Sequence, residues 1–291
     1  MTLEAARSGH GIGGILTASI VLKPASELSL TELAELFNRA YEGYEVPMHV
    51  DAGAVAFMHD AFDLVPEYSR IAWRDERPIG VAMLAVRGAR AWVGGMGVAA
   101  EARRSGVGEA LMRALLDIAR RAGVQRVQLE VLEKNTSAKA LYEKLGFRVF
   151  RRLEVWLWEQ PAPAAPDAAT VQACDPREAR RRMAAARRAR EPWQREDATL
   201  DRLDVNTPAL RALHARGGDA VYRVSDGRAN VLQLAAEDAR AAGALLDGIR
   251  TRGGVALLRY LNVPDDDVAA AALRARGATC STSQFEMALE L

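Results

Sequence analysis

Residues 101–111, EARRSGVGEAL, set two arginines and two glycines at the start of an amphipathic stretch. A turn that leaves a strand and opens a helix exposes backbone N–H groups with no partner inside the helix, and the helix dipole adds partial positive charge. Glycine lets such a backbone approach an anion that a Cβ would hold off. Arg103, Arg104, Ser105, Gly106, Val107 and Gly108 therefore have the make-up of a phosphate cradle, although glycines can equally serve only to make a tight turn. Two familiar phosphate chemistries do not fit. No Gly-Lys-Ser/Thr follows, so the lysine and hydroxyl of a nucleoside triphosphate loop are missing. The dinucleotide pattern is met literally by GHGIGG, Gly9 to Gly14, but no strand pattern precedes it and no amphipathic helix follows, so it is read as a flexible terminus.

The elements that must position this loop follow from the apolar periods around it. SIVLKPA reads as a strand, and SLTELAELFNRAYEGY puts Leu33, Leu36, Phe37 and Ala40 on one helical face. A second helix covers Ala52 to Phe62. SRIAWRD, IGVAMLAVRG and RAWVGGMGV then form an antiparallel meander. After the loop come a helix from Gly108 to Ala122 with Leu111, Leu115 and Ile118 inward, the strand VQRVQLEVL, the helix TSAKALYEKLG, and FRVFRRLEVWLWE as two short strands or one bent one. Strands and helices in mixed order predict an α+β fold with a partly parallel sheet.

The loop resembles the signature of the GNAT acyltransferase superfamily, Arg/Gln-x-x-Gly-x-Gly/Ala, and NTSAKALYEKLGF, Asn135 to Phe147, is similar to its second block at every specified position. The resemblance covers about residues 18–160. It implies the GNAT fold, an acyl-CoA N-acyltransferase with a splayed central mixed sheet. It also implies acetyl-CoA or another acyl-CoA as co-substrate, with the pyrophosphate on the amides of Arg103 to Gly108 and no metal. The arginine side chains, Lys139 and Lys144 are candidates for the remaining phosphate; for the lysines, solvated surface charge is the preferred reading. Met96, Gly97 and Val98 in GGMGV would belong to the bulged strand that pairs with pantetheine, and Asn135, Ala138 and Tyr142 would line the same donor.

In that family an amine attacks the thioester directly, so a base, an oxyanion donor and an acid are needed. The resemblance assigns the oxyanion to the Val98 amide and the acid to Tyr142, a phenol of pKa about 10 facing a thiol of pKa about 8.5. Tyr142 can also be read as packing its ring beside Leu141 and Phe147. Glu130, in a strand like that of the ribosomal-protein alanine N-acetyltransferases, is a candidate base or else a solvated sheet residue. The acceptor, a primary amine of a small molecule or peptide, is expected at YEGYEVPMHV. There Tyr41, Glu42, Tyr44, Glu45 and Met48 are candidates for binding it, and His49 reads as helix-end surface.

EQPAPAAPDAAT, 159–170, is linker-like, which divides the chain into a tail (1–17), a catalytic domain (18–160), a linker (161–170) and a second part (171–291). The second part repeats ALLD, Ala114 to Asp117 and again Ala244 to Asp247, and resembles a degenerate, smaller GNAT-like domain in tandem. By that repeat Arg103 to Gly108 map onto QLAAED, Gln233 to Asp238, without glycine, and Tyr142 maps onto Ala272, or onto Leu273 when aligned by Gly277. One cradle per chain is expected, with the second part supporting the cleft or dimerising. A net charge of +1 favours neither nucleic acid nor membrane, and the arginine run Arg177 to Arg190 is interleaved with acids as on a solvated helix face. Two cysteines, Cys174 and Cys280, suit a reducing cytoplasm. The alternatives to an enzyme are a non-catalytic acyl-CoA-binding or regulatory module and, less favoured, nucleic-acid binding through the arginine helix.

Overall fold

The computed structural model describes residues 19–45, 49–159, 171–187, 189–206 and 210–291. The expected tail (1–17), Met48 and the linker (161–170) lie outside these residues. Contacts divide the chain into two compact units that are not contiguous in sequence. The first is Met1–Leu129, Leu141–Phe147 and Ala288–Leu291; the second is Glu130–Ala140 and Arg148–Met287.

In the first unit, β1 (Val21–Pro24), β2 (Arg70–Arg74), β3 (Arg77–Arg87), β4 (Arg90–Val98) and β5 (Arg126–Leu132) lie in that order. The first three pairings are antiparallel and β4 pairs with β5 in parallel. The central strand β3 is apolar almost throughout, and Val81, Ala82, Leu84 and Ala85 are fully buried. Helix α1 (Leu30–Ala40) starts at a capping box in which Ser29 and Glu32 satisfy each other's donors. The Ser29 bonds hold the Glu32 carboxyl below its usual range. α1 buries Leu33, Ala34, Leu36, Phe37 and Ala40, the face the period predicted. Helix α2 (Ala52–Phe62) is capped by Asp51, and α3 (Val107–Arg121) turns Leu111, Met112, Leu115 and Ala119 into the core. Each such leucine contributes about 1.5–3 kcal/mol by leaving water. Helix α4 (Thr136–Lys144) completes the second motif.

The second unit orders its strands β12 (Thr279–Glu290), β6 (Arg148–Trp158), β11 (Leu257–Pro264), β10 (Arg228–Ala236), β9 (Gly218–Ser225), β8 (Arg211–Ala215) and β7 (Gln172–Cys174). Its helices are α5 (Pro176–Ala186), α6 (Asp197–Asn206), α7 (Ala239–Gly253) and α8 (Val268–Ala275). FRVFRRLEVWLWE is one eleven-residue strand, β6, rather than two short ones; its second half pairs with β11, Trp158 opposite Leu258 and Leu153 opposite Pro264, and β12 is its neighbour on the other side. Trp156 and Trp158 are thereby core residues. Having taken in β6 and residues 130–140, this unit is not the smaller body that its share of the sequence suggests. The arginine helix α5 is also more than a solvated face. Arg180 and Arg182 hold Asp201 and Asp219 at 2.7 and 2.6 Å, and Arg187, just beyond the helix, reaches Asp197 at 3.2 Å.

The two units carry the same motif at a countable offset. Both α3 and α4 end at a glycine with positive φ, Gly123 and Gly146; α7 and α8 end likewise at Gly254 and Gly277, each 131 residues later. The closing bond Phe147 N to Tyr142 O recurs as Ala278 N to Leu273 O. The parallel ladder stops at Val93↔Leu129 in one unit and at Val231↔Tyr260 in the other. From Leu129 to Tyr260 the offset is again 131, but from Val93 to Val231 it is 138. The second unit is therefore seven residues shorter between the end of its ladder and the glycine that closes α7, and six of the seven fall in the connecting turn. Residues 99–106 connect β4 to α3, whereas only Glu237 and Asp238 connect β10 to α7. Gln233 to Ala236, which the ALLD repeat placed in the loop, are strand residues, and Leu273 is the counterpart of Tyr142.

Candidate active site

After Val98 the chain makes a 3-10 turn, Ala100–Ala102, and then turns through Arg104 (φ 62°) and Gly106 (φ 84°) into α3. Positive φ at alternate residues points successive amides into one concavity, the geometry of an anion nest. Ala110 N makes the first helical bond, to Gly106 O, so Val107, Gly108 and Glu109 are amides for which the helix has no carbonyl. A Cβ at Gly106 would have open space, so its backbone angle is what calls for glycine. The arginine expected as a phosphate ligand does something else. Arg103 donates from Nε to Val98 O at 3.0 Å and from Nη2 to Glu42 O and Ala40 O at 2.8 and 3.2 Å, tying the end of α1 to the end of β4. The Ser105 hydroxyl donates to Ala102 O at 2.7 Å and accepts from Arg74 Nη2 at 3.2 Å.

On β4 the bulge expected from GGMGV sits at Gly94, where the register with β3 slips between Met83 and Leu84. Pairing with β5 ends at Val93, so Met96 to Val98 present an edge clear of β5. Ala99 N donates to Ile79 O on the β3 side; strand alternation therefore points the Val98 amide and carbonyl, and those of Met96, toward the open edge. Both carbonyls there are bonded, Met96 O by Tyr41 Oη at 3.3 Å and Val98 O by Arg103. The glycines have a nearer cause than a ligand. A Cβ on Gly97 would stand 2.9 Å from Ala40 Cβ and 3.0 Å from the Tyr41 ring, and one on Gly95 3.2 Å from Phe37. They let α1 lie on the strand.

Tyr142 is 6% exposed, its ring 6.0 Å from Phe147. Burial, and then the nearby Tyr41 and Tyr44, push its phenol well above the ordinary value, and burial does the same at Tyr41. Tyr41 stacks on Phe37 at 4.3 Å and meets Tyr44 edge-on at 5.1 Å. Tyr41 is thus wall, and Tyr44 is half-buried beside it. Glu42 and Glu45 are exposed. Asn38, which no sequence pattern singles out, brackets Val50 with bonds of 2.8 and 2.9 Å and so anchors the far side of this mouth.

Glu130 follows directly on the last β4-paired residue of β5. It is half-buried, and its Oε2 accepts from Gln194 Nε2 at 3.2 Å, which removes it from the solvated reading. Asn135 Oδ1 accepts from Ala138 N and Ser137 Oγ at 3.2 and 3.1 Å, so this asparagine caps α4 and engages the Ala138 amide. Lys144 pairs with Glu109 at 2.6 Å, and Lys139 lies 5.7 Å from the Phe285 ring.

In the second unit the corresponding opening is occupied by its own chain. Past Val231↔Tyr260, Gln233 Nε2 on β10 donates to Arg195 O at 2.6 Å, while Arg195 Nη1 donates to Leu261 O on β11 at 3.1 Å. Asn262 Nδ2, also on β11, donates to Gln194 Oε1 at 3.0 Å. The 3-10 turn Trp193–Arg195, with Trp193 fully buried, fills the slot that β4 leaves open in the first unit. At the 131-residue offset, Glu130 and Tyr142 correspond to Leu261 and Leu273.

Known proteins resemble this chain in keeping with that geometry. Residues 30–147 match the model of the acetyltransferase (GNAT) family. N-alpha-acetyltransferase 30 of Schizosaccharomyces pombe is 32% identical over 93 residues, 30% of this chain; the match spans 62% of that relative's length. Among solved structures, a GCN5-related N-acetyltransferase from Sphaerobacter thermophilus matches 93% of this chain and 95% of its own, with TM-score 0.71 and 16% identity. A tandem GNAT protein from the clavulanic acid biosynthesis pathway matches 94% of this chain and 98% of its own, with TM-score 0.65 and 15% identity. At those identities the likeness is one of fold, and it extends over both halves.

Proposed function

The chain belongs to the GNAT superfamily through residues 30–147, with the tandem fold, and from that premise we propose that it transfers an acyl group from acetyl-CoA to a primary amine. The contrast between the two motifs carries this reading: the first has a nest opening α3, a β4 edge clear of β5, Glu130 and the buried Tyr142, whereas among the described residues the second has a two-residue turn before α7, a slot filled by Trp193–Arg195, and Leu261 and Leu273 at the matching positions. Of the amides from Arg103 to Gly108, that of Arg103 is given to Ala100 O at 3.3 Å, and those of Arg104 to Gly108 suit a pyrophosphate; Met96 and Val98 offer the open edge to a pantetheine amide. Glu130 takes the proton as the amine nitrogen bonds to the thioester carbon. The Val98 amide faces the oxygen as it becomes anionic, and Tyr142 Oη protonates the sulfur as the C–S bond breaks. The catalytic domain is assigned to 18–160 and a degenerate partner to 171–291.

An amine of pKa about 8 is about one-tenth neutral at pH 7, whereas one near 10.4 is neutral less than one part in a thousand. A single half-buried carboxylate suits the former, so α-amines are the first acceptors to try. Thiol release from acetyl-CoA across a panel of α- and side-chain amines, wild type against Tyr142→Phe, tests the reading. Amine-dependent release that the variant loses supports it. Tight acetyl-CoA binding with release no faster than hydrolysis for every amine leaves a binding module in its place.

A further inference from the structure

Glu130 stands at the end of a chain of side-chain amides. Gln194 Nε2 donates to its Oε2 at 3.2 Å, Asn262 Nδ2 donates to Gln194 Oε1 at 3.0 Å, and Gln284 Nε2 donates to Asn262 Oδ1 at 2.6 Å. A carboxylate only accepts, so it decides which end of Gln194 faces it; that choice fixes Asn262, and Asn262 fixes Gln284. The three amides come from the turn Trp193–Arg195, from β11 and from β12, and each is at least half-buried.

The middle of the chain is held in an uncommon backbone state. Asn262 has φ 57° and is 5% exposed, in the stretch where the β11–β6 register slips between Tyr260 and Val263. Asparagine tolerates that conformation better than most residues, and the bend aims its amide at Gln194. The turn carrying Gln194 is itself bolted down, by Gln233 and Arg195 as above and by Thr199 Oγ1 donating to Trp193 O at 2.9 Å.

We propose that Gln194 is a positioning residue for the reaction: it holds the Glu130 carboxylate in one rotamer, and Asn262 and Gln284 hold Gln194. The turn that closes the second unit's slot thereby also holds Glu130. This rests on Glu130 being the base.

The test is steady-state kinetics on the full chain with acetyl-CoA and the best amine. Gln194→Ala is expected to lower kcat about tenfold, the scale of one hydrogen bond to a charged group, with the acetyl-CoA KM within twofold. Gln194→Glu should fall further, because it sets a second carboxylate against the first. Asn262→Gly keeps the positive φ, removes the amide and leaves the turn in place, so it reports even if a Gln194 variant folds badly; a smaller fall in kcat is expected. In a Glu130→Gln background, Gln194→Ala should change nothing further. Full loss in Glu130→Gln with unchanged kcat in Gln194→Ala and Asn262→Gly overturns the positioning role alone. An equal fall from Gln194→Ala in both backgrounds makes the residue merely structural and also overturns it. Wild-type activity in Glu130→Gln removes the base assignment and this inference together.

Discussion

Tyr142 is a phenol kept from ionising by its surroundings. Burial first, then two neighbouring phenols, raise its pKa, so it is still protonated where an ordinary phenol is half ionised and an α-amine is already neutral. A higher pKa makes a weaker acid, but the same desolvation acts on a thiolate leaving into the same space, and the difference between the two governs the transfer. Tyr142→Phe keeps the ring against Phe147 and removes the proton; kcat should fall about a hundredfold or more, the usual scale of general acid catalysis, with little change in stability. In the wild type, kcat should not decline through pH 10, where an ordinary phenol would have lost half its proton. Arg103 makes the opposite case, a charged residue of the motif that acts by architecture. With its guanidinium on three backbone carbonyls, Arg103→Ala should raise the acetyl-CoA KM by loosening the loop. The salt dependence of that KM should match the wild type, because no phosphate contact is lost. A flattened salt dependence would restore Arg103 as an anion ligand.

The turn between β4 and α3 is where the two units part, and one residue in it can be tested by itself. Gly106→Ala asks an L-residue to hold φ 84°, which costs about 1–2 kcal/mol. Acetyl-CoA affinity should drop about tenfold as the nest distorts, with a loss of a few degrees in melting temperature. Unchanged affinity, by titration calorimetry, would mean that the turn holds no anion. Much of this element was legible beforehand, because its information is local. The period of α1, the alternation of the β3–β4 meander and the bulge in GGMGV each follow from a few neighbouring residues. What escaped reading depends on partners far along the chain. Nothing near Asn262 announces that its amide meets Gln194, and nothing near Gly97 says that its missing Cβ makes room for Tyr41 rather than for a ligand. The ALLD repeat misled by a few residues, because two alanine-rich helices align as well one step out of register. Only the paired glycines and their closing bonds fix the offset at 131.

At the scale of the whole chain, the compact units disagree with a simple cut at the proline-rich stretch. Ala288–Leu291 belong to the first unit, where Leu291 N donates to Gln125 O at 2.8 Å and Glu290 meets Arg126 at 2.6 Å. Strand β6, contiguous with the first motif in sequence, has its ladder with β11 in the second. Residues 1–159 made alone would keep both acyltransferase motifs, yet would lose that ladder and expose Trp156 and Trp158, which are 3% and 0% exposed in the full chain. Two tryptophans hide about 200 Å² each, and at about 25 cal/mol per Å² their exposure costs about 10 kcal/mol. That equals the whole stability of an ordinary domain. The fragment is therefore expected to aggregate or to melt without a cooperative transition by circular dichroism, and adding residues 171–291 in trans should restore a cooperative melt. A soluble 1–159 fragment melting at the temperature of the full chain would show instead that the exchange of strands contributes nothing to folding, and that the first motif is a self-sufficient domain.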